Sequence, residues 1–435
     1  MPVVPHRILL ADADQFFVAV ARMVDPEGAG KAKLLIVGGA PGSRGVVCSA
    51  SYETRAFGVR SAMPIARALR LCPNAMCIPV PRGACSEKSR AIKAVLERFT
   101  PVVRGASVDE WYLDMGGTEA LYGHEPLEVT AHRIRDAVLA ETGIAVSFGG
   151  GTNRLVAKLA VEFAKPKPNS GQTGVHIVPA GDEARFMRER VALADIPGIG
   201  PRFQQALAEH ELVRVADVLP HDRTALERWF GVRTGGWLWE RARGVGGHEV
   251  SPRAAAKSVS REDTFERDLH HDADIERELR RLAAKVAIDL RDDGLMARTI
   301  TVRLKYTDFS RRSMSRTLRD AVESERAIAD VAVDLLASLR RKRRGPVRLA
   351  GVALSGLADA ADRQLTLLDP PVGEAAQGAV SRPTELNQAA VTRHNQANKA
   401  SQAESERDRT VSRALDDVRE RFGADALRRG PGRKR

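Results

Sequence analysis

The chain has 435 residues, 43% of them hydrophobic and 29% charged, with 68 Lys and Arg against 56 Asp and Glu for a formal charge of +12. That length suits several hydrophobic cores and that composition excludes a chain disordered throughout, while the surplus of base points to a polyanion, most often nucleic acid. No apolar run reaches the roughly 20 residues of a membrane-spanning helix, and the N-terminal MPVVPHRILLADAD carries acids where a signal peptide has small residues, so a membrane protein is excluded and a cytoplasmic location is expected.

In chain order, residues 7–11 (RILLA) predict a strand ending in an acid pair, and 34–38 and 46–49 are further short β-rich runs separated by GGAPGSRG. Helical periodicity marks 61–71, 86–99, 126–142 and 153–164, whereas 109–115 and 144–149 read as strands. This βαβ-like order without strict alternation predicts an α/β first domain ending near Pro166. From about 180 to 245 the pattern is nearly all helical, broken at IPGIG (196–200) and FGVRTGGWLW (230–239), which predicts a small helical domain. After a basic, alanine-rich connector at 251–257 come a strand (258–266), a helix (272–293), strands (297–308 and 313–319), a helix (324–340) and a strand (346–356), implying a second α/β sandwich domain. Beyond Pro370 the segment to about 408 is rich in Gln, Asn, Ala, Ser and Glu and is expected to be a disordered linker. An apolar stripe returns at Val411, Leu415, Val418, Phe422 and Ala426, before RRGPGRKR closes the chain. The four cysteines, Cys48, Cys72, Cys77 and Cys85, match neither a CxxC pair nor a zinc ligand set and are expected as reduced, mostly buried thiols.

Chemistry concentrates in two acidic motifs. Asp12 follows the apolar run ILLA, and Asp109 and Glu110 open a second strand in SVDEWYLD. Either motif alone reads more readily as solvated turn residues. Acids at the ends of two adjacent strands instead form a carboxylate cluster, the hard oxygen set that suits Mg²⁺ and metal-assisted phosphoryl or nucleotidyl transfer. Asp14 either joins this cluster, braces the turn or caps the helix starting at Phe16. A triphosphate needs cations as well, for which Arg55 in SYETR and Lys165 in AKP are candidates, with Tyr52 offering a hydroxyl; each is also compatible with a plain surface role. The Phe16-Phe17 pair at a helix start ordinarily packs into a core.

Taken together, DADQFF (12–17), GVVCSASYETRAFGVRSAMP (45–64), SVDEWYLD (107–114), TNRLVAKLAVEFAKP (152–166) and IPGIG (196–200) resemble the Y-family translesion DNA polymerases, and within them the DNA polymerase IV branch, in order over about residues 6–370. The resemblance implies an α/β multi-domain right hand acting as a monomer on primer-template DNA and dNTPs. Its parts would be a palm (1–18 and 75–166), fingers (19–74), a helical thumb with a helix-hairpin-helix (167–245), a linker (246–257) and an α/β little finger (258–360). It further implies two Mg²⁺ ions, with Mn²⁺ as an alternative, bound by Asp12, Asp109, Glu110 and the Ala13 carbonyl, Asp109 and Glu110 being the catalytic pair. Tyr52, Arg55 and Lys165 match the triphosphate-binding positions, with Phe16 and Ser49 among the nucleotide contacts. Phe17 matches the steric gate against a ribose 2′-OH, and Val46 and Cys48 match the small roof over the nascent base pair. Ala13 and Gln15 stand where larger apolar or small residues are usual and Arg154 replaces a lysine, but no metal ligand is lost. A non-catalytic, polymerase-like adaptor of a mutagenesis complex is the alternative, against which the intact acids argue.

IPGIG resembles a helix-hairpin-helix, whose Gly198 and Gly200 amides would face a DNA phosphate, although PGIG also serves as a plain helix-helix turn. Residues 297–316 carry Arg298, Arg303, Lys305, Arg311, Arg312 and Arg316 against the single acid Asp308, and alternate positions on strands predict one charged sheet face for a duplex backbone. The run RRKRR at 340–344 either contacts DNA or favours its helix dipole. Gln364, Leu365, Leu367 and Leu368, within 361–370, resemble the short sliding-clamp-binding peptide of the QLxLF type, with Leu368 where Phe is usual. The helical, basic tail 409–435 either packs back on the body or binds a partner.

Overall fold

The computed structural model describes residues 6–166, 173–251, 255–360 and 404–423, in two compact units, Met1–Ala254 and Ala255–Arg435.

In the first unit the run ILLADA forms β1 (Ile8–Ala13), followed by α1 (Phe16–Val24), β2 (Leu35–Gly38), β3 (Val47–Ala50), α2 (Tyr52–Arg55), α3 (Ile65–Leu71), β4 (Met76–Ile78) and α4 (Arg82–Leu96). Then come β5 (Val103–Gly105), β6 (Glu110–Asp114), α5 (Leu127–Thr142), β7 (Val146–Gly151), α6 (Arg154–Ala164) and β8 (Val175–Ile177). The main sheet has the order β5-β6-β1-β7-β8, and β1 lies antiparallel between β6 and β7. All six β1 residues are buried, which explains the unbroken apolar run: a central strand covered on both faces has no solvent side to alternate with. Leu9, Ala11 and Ala13 pack with residues of α4 and α5, whereas Ile8 and Leu10 pack with Ala157 and Val161 of α6. A second sheet, β3-β2-β4, closes over Ile65 and Ala68 of α3.

Helices α7 (Glu183–Arg190), α8 (Pro201–Ala208), α9 (Val215–Val218), α10 (Arg223–Phe230) and α11 (Val232–Ala242) follow. Their core includes Leu155, Val156, Leu159 and Ala160 of α6. The expected domain end near Pro166 is therefore no break in packing, because α6 is buried against the sheet on one side and against these helices on the other. Asn153 fixes that junction, capping α6 by accepting the Val156 N–H at 3.0 Å and donating to the Gly244 carbonyl at 2.9 Å.

The second unit is an antiparallel sheet of order β11-β10-β12-β9, built from β9 (Ser258–Leu269), β10 (Leu295–Tyr306), β11 (Arg311–Val322) and β12 (Val347–Asp359). Helices α12 (Asp272–Asp292) and α13 (Glu325–Lys342) share one core with it. The final helix, α14 (Glu406–Phe422), begins before the apolar stripe and inside the segment expected to be linker. Ser405 and Asp408 form a reciprocal capping box that starts it there. The peptide 361–370, the linker to 403 and residues 424–435 lie outside the described residues.

The three-residue strands β4, β5 and β8 are too short to show a period in the sequence. The helix expected from 61 begins at Ile65, because Val46 bridges Pro64 and the Val47 N–H donates to the Met63 carbonyl at 2.8 Å, holding 61–64 as a turn. All four cysteines are free; Cys72 and Cys85 are buried, Cys77 is half-buried, and Cys48 is exposed. Among the described residues no helix is long and apolar enough to cross a membrane.

Candidate active site

The register of β1 against β6 places Asp12 directly opposite Glu110, with Leu10 opposite Tyr112 one step further in. Directly opposed residues of an antiparallel pair point to the same face, so both carboxylates rise on the face covered by α6. The Ala13 N–H donates to the Asp109 carbonyl at 2.9 Å, which locks the turn carrying Asp109 to the end of β1. Two ammonium groups meet the acids: Lys165 lies 3.0 Å from Asp12 and Lys158 lies 2.7 Å from Glu110. Lys158 was not singled out in the sequence, although its seven-residue spacing from Lys165 puts both on one side of α6 and its C-terminal cap.

Burial raises the Asp12 carboxyl well above the usual range, against the pull of Lys165, and Glu110 adds to the rise. For Lys165 burial opposes the charge, but Asp12 and Glu162 outweigh it and hold the ammonium above the ordinary lysine range. Among the described residues no three His, Cys, Asp or Glu side chains close around a common point for a metal ion. Each acid has a partner from the chain instead, since the Ser107 hydroxyl donates to Asp109 while the lysines take Asp12 and Glu110. Hard oxygens that already gather two cationic groups are nonetheless the donor chemistry of Mg²⁺. Asp14 braces the turn: its carboxylate accepts the Ser147 hydroxyl at 2.9 Å, and burial pushes its pKa up to about 6. It does not cap α1, whose N-cap position belongs to Gln15.

Helix α2 brings Tyr52 within electrostatic reach of Asp14 and Asp12, with Arg55 beside it. Arg55 donates from Nε to the Ala50 carbonyl at 2.9 Å and sits 5.3 Å from the centre of the Tyr52 ring. Burial, with Asp14 next, pushes the Tyr52 phenol up to about 12, so its hydroxyl keeps its proton and can donate. Lys165, Tyr52, Asp12 and Asp14 are within electrostatic reach of one another, which joins the two motifs into one site.

Residues 11–162 match the impB/mucB/samB family and residues 256–367 match its C-terminal domain. A Y-family DNA polymerase chimera superposes with a TM-score of 0.71 at 26% identity, covering 81% of this chain and 99% of that one. The chain belongs to the Y-family of DNA polymerases. Among its relatives, the DNA polymerase IV of Opitutus terrae is 35% identical over 82% of this chain and 88% of its own length. That of Staphylococcus aureus strain JH9 is 34% identical over 84% and 99%. DinB from Sulfolobus solfataricus superposes with a TM-score of 0.53 at 25% identity, covering 80% of this chain and 98% of that one.

The residues expected at the nucleotide differ in exposure. The Phe16 ring is core, 2% exposed, and Phe17 is half-buried beside it in an edge-to-face pair at 5.6 Å. Along β3 the residues alternate, so Cys48 is exposed but Ser49 is buried, and the Ser49 hydroxyl does not share the exposed face of Val46 and Cys48. The IPGIG turn exposes Gly198 and Gly200 and buries Ile196 and Ile199, but the element before it is a three-residue 3₁₀ turn (Leu193–Asp195) rather than a full helix. Gly198 has φ +107°, and a Cβ there would lie 2.8 Å from the Trp237 ring, so only glycine fits.

On the second unit's sheet, β10 turns Ile300, Val302, Leu304 and Tyr306 inward, which leaves Arg303 and Lys305 on the solvent face with Arg311 opposite Lys305. Arg312 pairs with Leu304 and Arg316 with Ile300, so the pleat turns both towards the helix-covered side, and Arg316 reaches Asp334 of α13 at 3.1 Å. Arg298 falls at a register shift between Ala297 and Thr299 and donates to the Arg319 carbonyl at 2.7 Å. In the run RRKRR, Arg340 is buried against Asp272 at 2.6 Å and Arg343 bonds Asp308 at 2.8 Å, so both serve the domain.

Proposed function

We propose that this Y-family chain is a template-directed DNA polymerase that extends a primer from dNTPs past damaged template bases, with low fidelity and low processivity. The observation that carries the reading is the opposed Asp12–Glu110 pair, flanked by Lys165 and Lys158, with Tyr52 in electrostatic reach of Asp12 and Arg55 beside Tyr52. The five-stranded sheet with α1, α4, α5 and α6 serves as palm and the three-stranded sheet with α2 and α3 as fingers. Helices α7–α11 serve as thumb and the sheet domain of the second unit as little finger.

Asp12, Asp109, Glu110 and the Ala13 carbonyl would hold two Mg²⁺ ions, or Mn²⁺ in their place. Such ions, when bound, stabilise the attacking and leaving oxygens of an in-line transfer. The chain's own groups bind and orient the substrates. Lys165 and Arg55 neutralise the triphosphate, and the Tyr52 hydroxyl donates a hydrogen bond to a phosphate oxygen. Phe17 sets a ring against the sugar, leaving no room for a 2′-OH, and the exposed Val46 and Cys48 form a roof with little side-chain bulk. Gly198 and Gly200 offer backbone amides to a DNA phosphate, and Arg303, Lys305 and Arg311 bind the duplex backbone. The segment Gln364–Leu368 would dock on a sliding clamp, and the enzyme would work as a cytoplasmic monomer.

The test is primer extension by the purified chain with dNTPs and Mg²⁺. Asp109→Ala with Glu110→Ala should abolish extension while primer-template affinity persists, because removing metal ligands acts on the transition state more than on phosphate contacts. Extension by the double variant at more than a few per cent of the wild-type rate overturns the reading.

A further inference from the structure

Gln15 occupies the turn between β1, which ends in the acids, and α1, which begins with the Phe16-Phe17 pair. Its backbone is left-handed, with φ 48° and ψ 39°, a conformation that is strained for a residue with a Cβ and free for glycine. It is also the N-cap residue of α1, where Ser, Thr, Asp or Asn would satisfy a free helix N–H, yet its side chain makes no capping bond. Only its main-chain carbonyl serves the helix, accepting the Val18 and Ala19 N–H groups at 2.8 and 2.9 Å. The side chain goes elsewhere. Gln15 Oε1 accepts the backbone N–H of Tyr52 at 3.0 Å, across 37 positions of sequence. Because the partner is an N–H, it is the carbonyl oxygen of the amide that must face it.

Tyr52 opens α2, and Ser51 anchors the other side of that turn to the fingers sheet: its N–H donates to the Leu35 carbonyl and its hydroxyl to the Lys33 carbonyl, both at 3.0 Å. The Gln15 bond therefore fastens the start of α2 to the turn that sets Asp14 on one side and Phe17 on the other. We propose that Gln15 is a positioning residue for the incoming nucleotide, holding the Tyr52–Arg55 turn in register with the acids and the gate. It never touches the reacting atoms; it acts through Tyr52 and Arg55. A turn needing only to change direction would be served by glycine, and one needing only to start a helix by serine or aspartate. A long side chain with a terminal acceptor is what the bridge to Tyr52 requires. The inference rests on the reading of Tyr52 and Arg55 as triphosphate ligands given above.

Two variants separate positioning from folding. Gln15→Met keeps the length of the side chain and removes the acceptor, while Gln15→Gly removes the acceptor and relieves the left-handed strain. In single-turnover extension both should weaken the apparent Kd for the dNTP about 3- to 10-fold, the range expected for one lost hydrogen bond. The maximal rate and primer-template Kd should stay within about 2-fold of wild type, on the same reasoning that only nucleotide placement is touched. The Tyr52 amide should exchange faster with solvent in both, and Gln15→Gly should melt no lower than wild type. Unchanged dNTP Kd in both variants overturns the proposal, as does a defect confined to Gln15→Met and matched by a lower melting temperature. Arg55→Ala is measured alongside. If it also leaves the dNTP Kd unchanged, the triphosphate reading itself fails; if it weakens dNTP binding while the Gln15 variants do not, only the positioning role fails.

Discussion

Gly149→Ala tests whether the close seat of α6 on the palm sheet is what brings Lys158 and Lys165 over the acids. Gly149 lies on β7 opposite Leu10 of β1, on the face that α6 covers. A Cβ at this position would sit 2.1 Å from the Ala157 carbonyl oxygen and 2.3 Å from the Val161 nitrogen, and both are helix backbone that cannot rotate away. Ordinary contact begins at 3.4 Å, so α6 must retreat by more than 1 Å. Lys158 lies between those two contacts, so its backbone moves with them and its ammonium must be re-aimed to keep the 2.7 Å bond to Glu110; Lys165, at 3.0 Å from Asp12, shifts at the helix end. Overpacking of this kind costs about 1–3 kcal/mol, which in a unit of this size lowers the melting temperature by about 3–10 °C. Displacing positioning groups by about 1 Å should slow extension by about 10-fold or more, measured well below the transition. Gly150→Ala is the control: on the other face its Cβ meets the tips of Ile177 at 2.4 Å and Leu9 at 2.9 Å, which can rotate. It should lower the melting temperature less and leave extension unchanged. Should Gly149→Ala melt within about 1 °C of wild type, or melt lower with extension intact, the seat of α6 does not set the site.

Phe17→Ala should raise ribonucleotide incorporation relative to deoxyribonucleotide by about 10-fold or more, since it relieves a packed clash; an unchanged ratio places the gate elsewhere. Asp14 has a native pKa of about 6 against 3.8 in a model peptide, so the native state binds the extra proton. That contribution is present below about pH 4 and is lost as pH rises through about 6, amounting to roughly 3 kcal/mol. In EDTA buffer, Asp14→Asn should therefore flatten the fall in melting temperature between about pH 4 and pH 7, and an unaltered slope contradicts the assignment to Asp14. Leu365→Ala with Leu368→Ala should remove stimulation by a sliding clamp and leave clamp-free extension intact, because a short peptide binds through few anchors; equal stimulation of variant and wild type shows that this peptide is not the clamp contact.

Signals spanning a few residues carry the local structure. The apolar run at 8–11 announces a strand, the stretch 153–164 carries the stripe of α6, and the placing of Asp12, Asp109 and Glu110 at strand ends marks the acids. The order of elements in the last domain is read the same way. Which of these residues face one another depends on packing between distant segments. Asp12 meets Glu110 because β1 and β6, nearly a hundred residues apart, pair in one register, and a slip by one residue would turn the two acids to opposite faces. The same dependence on register separates Arg311 from Arg312, adjacent in sequence and on opposite sides of the sheet. Lys158 reaches Glu110 only because Gly149 lets α6 lie against β7, and α6 belongs to two cores at once, which its periodicity does not reveal. Gln15 looks like an unremarkable turn residue until Tyr52 is found beside it. Local propensity acts over one turn or one pleat, whereas register, face and contact arise from packing between segments distant in sequence, and this site is built from such contacts.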